Sequence, residues 1–237
     1  TDYFNTLLWQ GNGNNARALT GVGFQPDFTW IKDRTDAESH CLTDAVRGAT
    51  KSLRSNGNNV EATDTDALQS FNSDGFTVGN QGQVNKSNGD YYVGWNWKAN
   101  GSGSANTDGS INSTVSLNST SGFSIVSYTG TQSAGTVGHG LGVIPSAIIV
   151  KSLASQDAWY VWFKGFSGTE ALFLDTTSAK GSHASYWNST TPTSSVYSVL
   201  NNTGTNNSAG MIAYCFAEKK GYSKVGSYKG NASTDGT

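Results

Sequence analysis

The chain has 237 residues, of which 35% are hydrophobic, 11% aromatic and only 14% charged, with a formal net charge of −2. That balance leaves no basic footprint for a nucleic-acid partner, and the aromatic side chains supply a core that a highly solvated, disordered chain would lack. No apolar run approaches the ~20 residues that span a bilayer, so membrane insertion is not expected.

Taken in order, residues 6–9 open a strand, and Gly11-Asn12-Gly13-Asn14-Asn15 is turn chemistry, because Gly and Asn tolerate positive φ. Pro26 then fixes φ just before a strand in which Phe28, Trp30 and Lys32 share one face and Thr29 and Ile31 the other. Residues 40–46 read as a weaker strand, residues 56–66 as a polar loop, and residues 76–79 as a short strand after Ser73-Asp74-Gly75. The strongest strand signal is Tyr91-Tyr92-Val93-Gly94-Trp95-Asn96-Trp97, with large residues on one face and Gly94 and Asn96 on the other. That contrast predicts a central strand with a core on one side and a close neighbour on the other. The only plausible helical turn lies between residues 64 and 70.

The same pattern then returns. Pro145 less Pro26, Lys151 less Lys32 and Tyr128 less Trp9 each give a shift of 119. That shift also carries Val93-Gly94-Trp95-Asn96-Trp97 onto Ile212-Ala213-Tyr214-Cys215-Phe216. A period this long implies a duplicated domain, since solenoid repeats run to roughly 20–50 residues. The expectation is therefore all-β, with two tandem antiparallel β-sandwiches of jelly-roll type at residues 1–100 and 122–220. Residues 101–121 connect them, and Ile111, Val115 and Leu117 suit an ordered edge strand better than a free linker. Residues 221–237 echo the start of the second copy, and read either as a closing strand or as the start of a third repeat in a longer array.

The residues that could carry chemistry are few. Cys41 and Cys215 fall at non-equivalent places within strand-like runs and read as buried thiols. His40, His139 and His183 lie outside metal-ligand spacing of one another, and His139, which matches Thr20 in the first copy, reads as a loop histidine. Asp64, Asp66 and Asp74, joined by Asp108, could gather around calcium, but their spacing is not that of a calcium loop. Glu38 and Asp44 could act as paired carboxylates in sugar hydrolysis, yet Asp44 becomes Phe163 in the second copy. No metal, cofactor or catalytic residue is expected. For ligand binding the candidates are Trp187, Tyr186, Asn188 and Trp159, aromatic groups that could stack on a sugar ring, set against a packing role in which Trp187 caps the end of a sandwich.

The runs at residues 21–32 (Gly-Val-Gly-Phe-Gln-Pro-Asp-Phe-Thr-Trp-Ile-Lys), 73–79, 92–99 and 137–145 resemble a repeated module of large virion proteins in tailed bacteriophages, many of them marine or cyanobacterial. The likeness covers most of both copies and departs at Asn96, where an apolar residue or Cys is usual, so a hydrogen bond is expected there. It implies a non-enzymatic structural protein of the virion, a tail-fibre or surface-appendage segment. Its partners would be other virion proteins, copies of itself, or a cell-surface glycan. The alternative is a carbohydrate-binding, lectin-like module.

Overall fold

The structure is a computed structural model and describes residues 2–87 and 89–233. The first half runs β1 (Phe4–Gln10), β2 (Arg17–Thr20), β3 (Phe28–Asp33), β4 (Cys41–Asp44), β5 (Lys51–Ser52), β6 (Ala62–Thr63), β7 (Leu68–Asn72), β8 (Gly75–Val78), α1 (Gly82–Asn85) and β9 (Tyr91–Trp97). The second runs β10 (Ser104–Asn106), β11 (Ser113–Asn118), β12 (Phe123–Thr129), β13 (Gly135–Gly138), β14 (Ala147–Ser152), β15 (Tyr160–Phe163), β16 (Glu170–Phe173), β17 (Gly181–Ser182), β18 (Val196–Val199), α2 (Thr203–Asn206) and β19 (Gly210–Phe216). The fold is all-β, and its strands pair antiparallel throughout the described sheets.

Strand order and register recur between the halves. The first large sheet is ordered β1-β9-β3-β4, and the second contains β12-β19-β14-β15 in the corresponding sequence. Phe4 pairs with Trp97 and Phe28 with Trp97; 119 residues on, Phe123 pairs with Phe216 and Ala147 with Phe216. Side-chain capping recurs as well. Lys32 donates to the carbonyls of Asp33 and Asp36, and Lys151 to those of Ser152 and Ser155. Asn85 accepts from Asn12 N and donates to Asn14 O and Gly79 O, while Asn206 accepts from Thr131 N and donates to Ser133 O and Leu200 O.

The helical turns are α1 and α2, four residues each, entered through the side chains of Gln81 and Asn202. The helical turn expected between residues 64 and 70 is instead a tight non-helical turn at Thr65 and Asp66, with Ala67 N donating to Asp64 O, that leads into β7, because Leu68 enters the core and its strand ladders onto β8.

Three cores lie between four sheet layers. In the first, Trp9, Ile31, Cys41 and Tyr92 of the large sheet meet Leu19, Leu68, Phe76 and Val78 of the small sheet β2-β8-β7. In the third layer pair, Val126, Ile148 and Ala213 meet Val137, Tyr197 and Val199 of β13-β18. The middle core is shared by the halves: Phe28 and Leu42 pack on Phe123, Ile125, Ile212 and Tyr214. Phe28 stacks on Tyr214 at 4.2 Å between centroids.

This middle core joins the two halves. The small face of β9 turns to its own half, where a Cβ on Gly94 would stand 3.2 Å from Trp9 and 3.5 Å from Phe76. Part of the large face is then covered by the other half. Residues 101–121 hold the ordered strand that Ile111, Val115 and Leu117 suited. β11 pairs with β12 and, together with β10, brings the second sheet to eight strands, and Ile111 and Val115 enter its core. Residues 224–233 form no strand, residues 234–237 lie outside the described residues, and the segment is tied down nearby by the bridge Lys219↔Ser223 and by Val225 N donating to Glu218. Among the described residues no helix is long and apolar enough to cross a membrane.

Candidate functional site

The two indoles singled out for ligand stacking lie inside. Trp187 is 0% exposed, donates from Nε1 to Glu170 O at 3.0 Å and meets Tyr197 edge-on. Trp159 is also 0% exposed and reaches across the shared core, with Nε1 donating to Arg54 O at 2.9 Å and Gly57 O at 3.2 Å. Neither ring offers a face to a sugar, because each is enclosed by apolar neighbours and its one polar atom is already bonded. Tyr186 is half-buried against Tyr160 and Phe173, and Asn188 forms a turn at φ 51° just after Trp187. These residues close the end of a sandwich.

The carboxylate pair separates in the same way. Asp44 is buried and accepts from Tyr214 Oη at 2.8 Å, from Arg47 Nε at 2.5 Å and from the backbone of Val46 and Arg47. Arg47 in turn donates to Glu61, Lys51 O and Leu42 O, and the Asp44 carboxylate pushes the proton affinity of its guanidinium up against the opposing effect of burial. Asp44 is thus an anchor between the halves, while Glu38 is half-buried on the loop after β3, near Gly82.

His139 sits in the loop just after β13 and is buried there. Its Nδ1 accepts from Leu141 N and its Nε2 faces Thr193 O, the pattern of a neutral ring, and burial lowers its pKa. His183 is exposed and bonds Ser185. Cys41 and Cys215 are free, buried thiols, with burial raising their pKa to about 11 and about 12. Asp64, Asp66, Asp74 and Asp108 do not gather: Asp74 holds the amides of Gly21 and Gly23, Asp64 that of Asp66, and Asp108 pairs with Asn106. Asn96 is buried and bonded to Thr29 Oγ1, Asn5 O and Gly94 O, as its departure from an apolar pattern implied.

The aromatic surface that does face outward was not singled out from the sequence. Trp30, His40, Trp95 and Trp97 line an open depression of 370 Å³ on the large face of the first sheet. Trp30 and Trp95 sit opposite each other in the β3·β9 ladder and meet edge-on at 6.4 Å. Trp30 Nε1 donates to His40 Nδ1 at 2.7 Å, which fixes the imidazole as an acceptor on that side, and burial lowers the His40 pKa. Trp97 leans on Phe28 and so belongs to the edge of the shared core, whereas Trp95 is packed into none of the three cores. On the same face Leu8 is 61% exposed and Tyr91 55%, with Val93 buried between them and Trp95.

This surface exists because the second half covers only the Phe28 and Trp97 end of the sheet. A signal for it was present in the shift of 119. Trp95 and His40 correspond to Tyr214 and Trp159, which lie in the shared core, while Trp30 packs against that core as its counterpart Ile149 does. At the first two corresponding pairs the second-half residue is in the shared core and the first-half residue is not.

The model of a family described as Domain of unknown function (DUF7483) matches residues 1–237. No curated protein and no solved structure matches the chain.

Proposed function

We propose that this chain, which belongs to the DUF7483 family, is a non-enzymatic structural module of a tailed-bacteriophage virion, a tail-fibre or surface-appendage segment that meets the host. The motif resemblance supports the setting. The observation that carries the non-enzymatic part is the fate of Asp44, the acid on which a hydrolytic reading depended: it is buried, neutralised by Arg47 and bonded to Tyr214. A carboxylate so engaged neither shuttles a proton nor reaches a substrate. Mass spectrometry of purified particles should find the protein in the virion, and its absence there removes the setting.

A second reading, recognition of a glycan, is favoured by the depression at Trp30, Trp95 and Trp97. Binding sites commonly enclose about 300–1,000 Å³ and combine apolar walls with a few polar groups, and the 370 Å³ here carries three indoles and one imidazole. A glycan array with the intact chain tests it. Trp95→Ala should abolish binding at unchanged melting temperature, whereas Trp187→Ala should cost about 3–5 kcal/mol of stability because it empties a core site. An intact chain that binds no glycan discards this reading and leaves the structural one standing.

A further inference from the structure

We propose that Asp33, Asp36 and Asp90 form a divalent-cation site, with calcium the ion that fits it. One carboxylate oxygen from each lies within 4.8 Å of the others. Asp33 ends β3, and its Oδ1 accepts from Thr35 N at 2.8 Å and Asp36 N at 2.9 Å, so the chain turns back and brings Asp36 alongside. Asp90 stands two residues before Tyr92, the ladder partner of Asp33. Two separate strands thereby deliver their acids to one point.

Carboxylates do not collect in the interior without compensation. Asp33 is 1% exposed and Asp90 4%. The ammonium of Lys86 touches Asp36 at 2.5 Å but stays 4.0 Å from Asp90, and that of Lys32 is turned to the carbonyls of Asp33 and Asp36. Glu38, close enough to act on Lys86, adds a further negative charge. The decisive atom is Asp33 Oδ2, which is buried and has no hydrogen-bond partner among the described residues. The nearby hydroxyl of Tyr92 has its proton on Gly82 O at 2.9 Å and accepts from Lys86 N at 3.0 Å.

The donor set selects the ion. Three protein carboxylates suit calcium, which takes about six to eight oxygen ligands in flexible geometry, better than magnesium, which keeps several waters and takes about one or two carboxylates. Carboxylate oxygens are also the donors a hard cation prefers. The second half acts as an internal control: 119 residues on, the three positions are Ser152, Ser155 and Ala209, and no charge is left to bind an ion. A bound cation would fasten the loop after β3 to the segment leading into β9.

The test is calcium titration of chelator-stripped full-length protein, followed by calorimetry, melting temperature and terbium luminescence, for which Tyr92 and the indole of Trp9 stacked on it at 5.5 Å are the local donors. Calcium should bind with Kd on the order of 10⁻⁴ M or tighter and raise the melting temperature more than magnesium does. Asp33→Asn and Asp90→Asn should each weaken binding roughly tenfold or more while remaining folded in chelator, and Lys86→Met should strengthen it by removing the competing ammonium. Absence of both heat and a thermal shift at millimolar calcium overturns the proposal. So does an Asp33→Asn protein that responds to calcium as the wild type does.

Discussion

Lys151 shows how one buried side chain sets a pH dependence. Its ammonium is enclosed in the second half, where it ties the carbonyls of Ser152 and Ser155, and burial lowers its pKa from 10.5 to about 8 against the attraction of Asp157 and Asp175. The folded chain therefore releases this proton first. Between pH 8 and pH 10.5 the unfolded chain holds more protons, so this residue makes the folded state more stable as pH rises across that window. The thiols act in the opposite sense above pH 9.0, since Cys41 and Cys215 keep their protons in the fold up to about 11 and about 12. Denaturant unfolding of wild type and Lys151→Met as a function of pH separates the two: the wild type should gain on the variant from pH 8 to 10.5, and a constant difference would contradict the assignment.

At the scale of elements, the short turns α1 and α2 matter through the asparagine each ends on. Asn206 satisfies Thr131 N, Ser133 O and Leu200 O, holding the loop after β12 to the approach of β19. Asn206→Ala leaves these groups without that partner and should cost roughly 2–4 kcal/mol in denaturant unfolding. A cost below ~1 kcal/mol would mean that water replaces the amide without loss. These turns were not legible in the sequence because four residues carry no helical periodicity, and a buried Asn looks like any loop Asn until its partners are known. The strands were legible, since Pro26 and Pro145 mark their starts and alternation runs through β3, β9, β14 and β19. The candidate site was less so. Val93, Trp95 and Trp97 alternate alike whether the face is covered or open, and only the placement of the second half decides which.

For the whole molecule the governing fact is the middle core, where Phe28, Trp97, Phe123 and Tyr214 come from both halves and the Asp44, Arg47 and Tyr214 bonds cross with them. Neither large sheet has its aromatic face closed by residues of its own half alone. One thiol happens to sit in each half, Cys41 in the first core and Cys215 in the third, and both are fully enclosed. They serve as paired clocks for opening, because an alkylating reagent reaches a sulfur only when the surrounding layers part. With the halves interlocked, Cys41 and Cys215 should be modified at a common rate with a common denaturant dependence, read out by peptide mass. Should Cys41 react well ahead of Cys215, the layers would be separating one at a time.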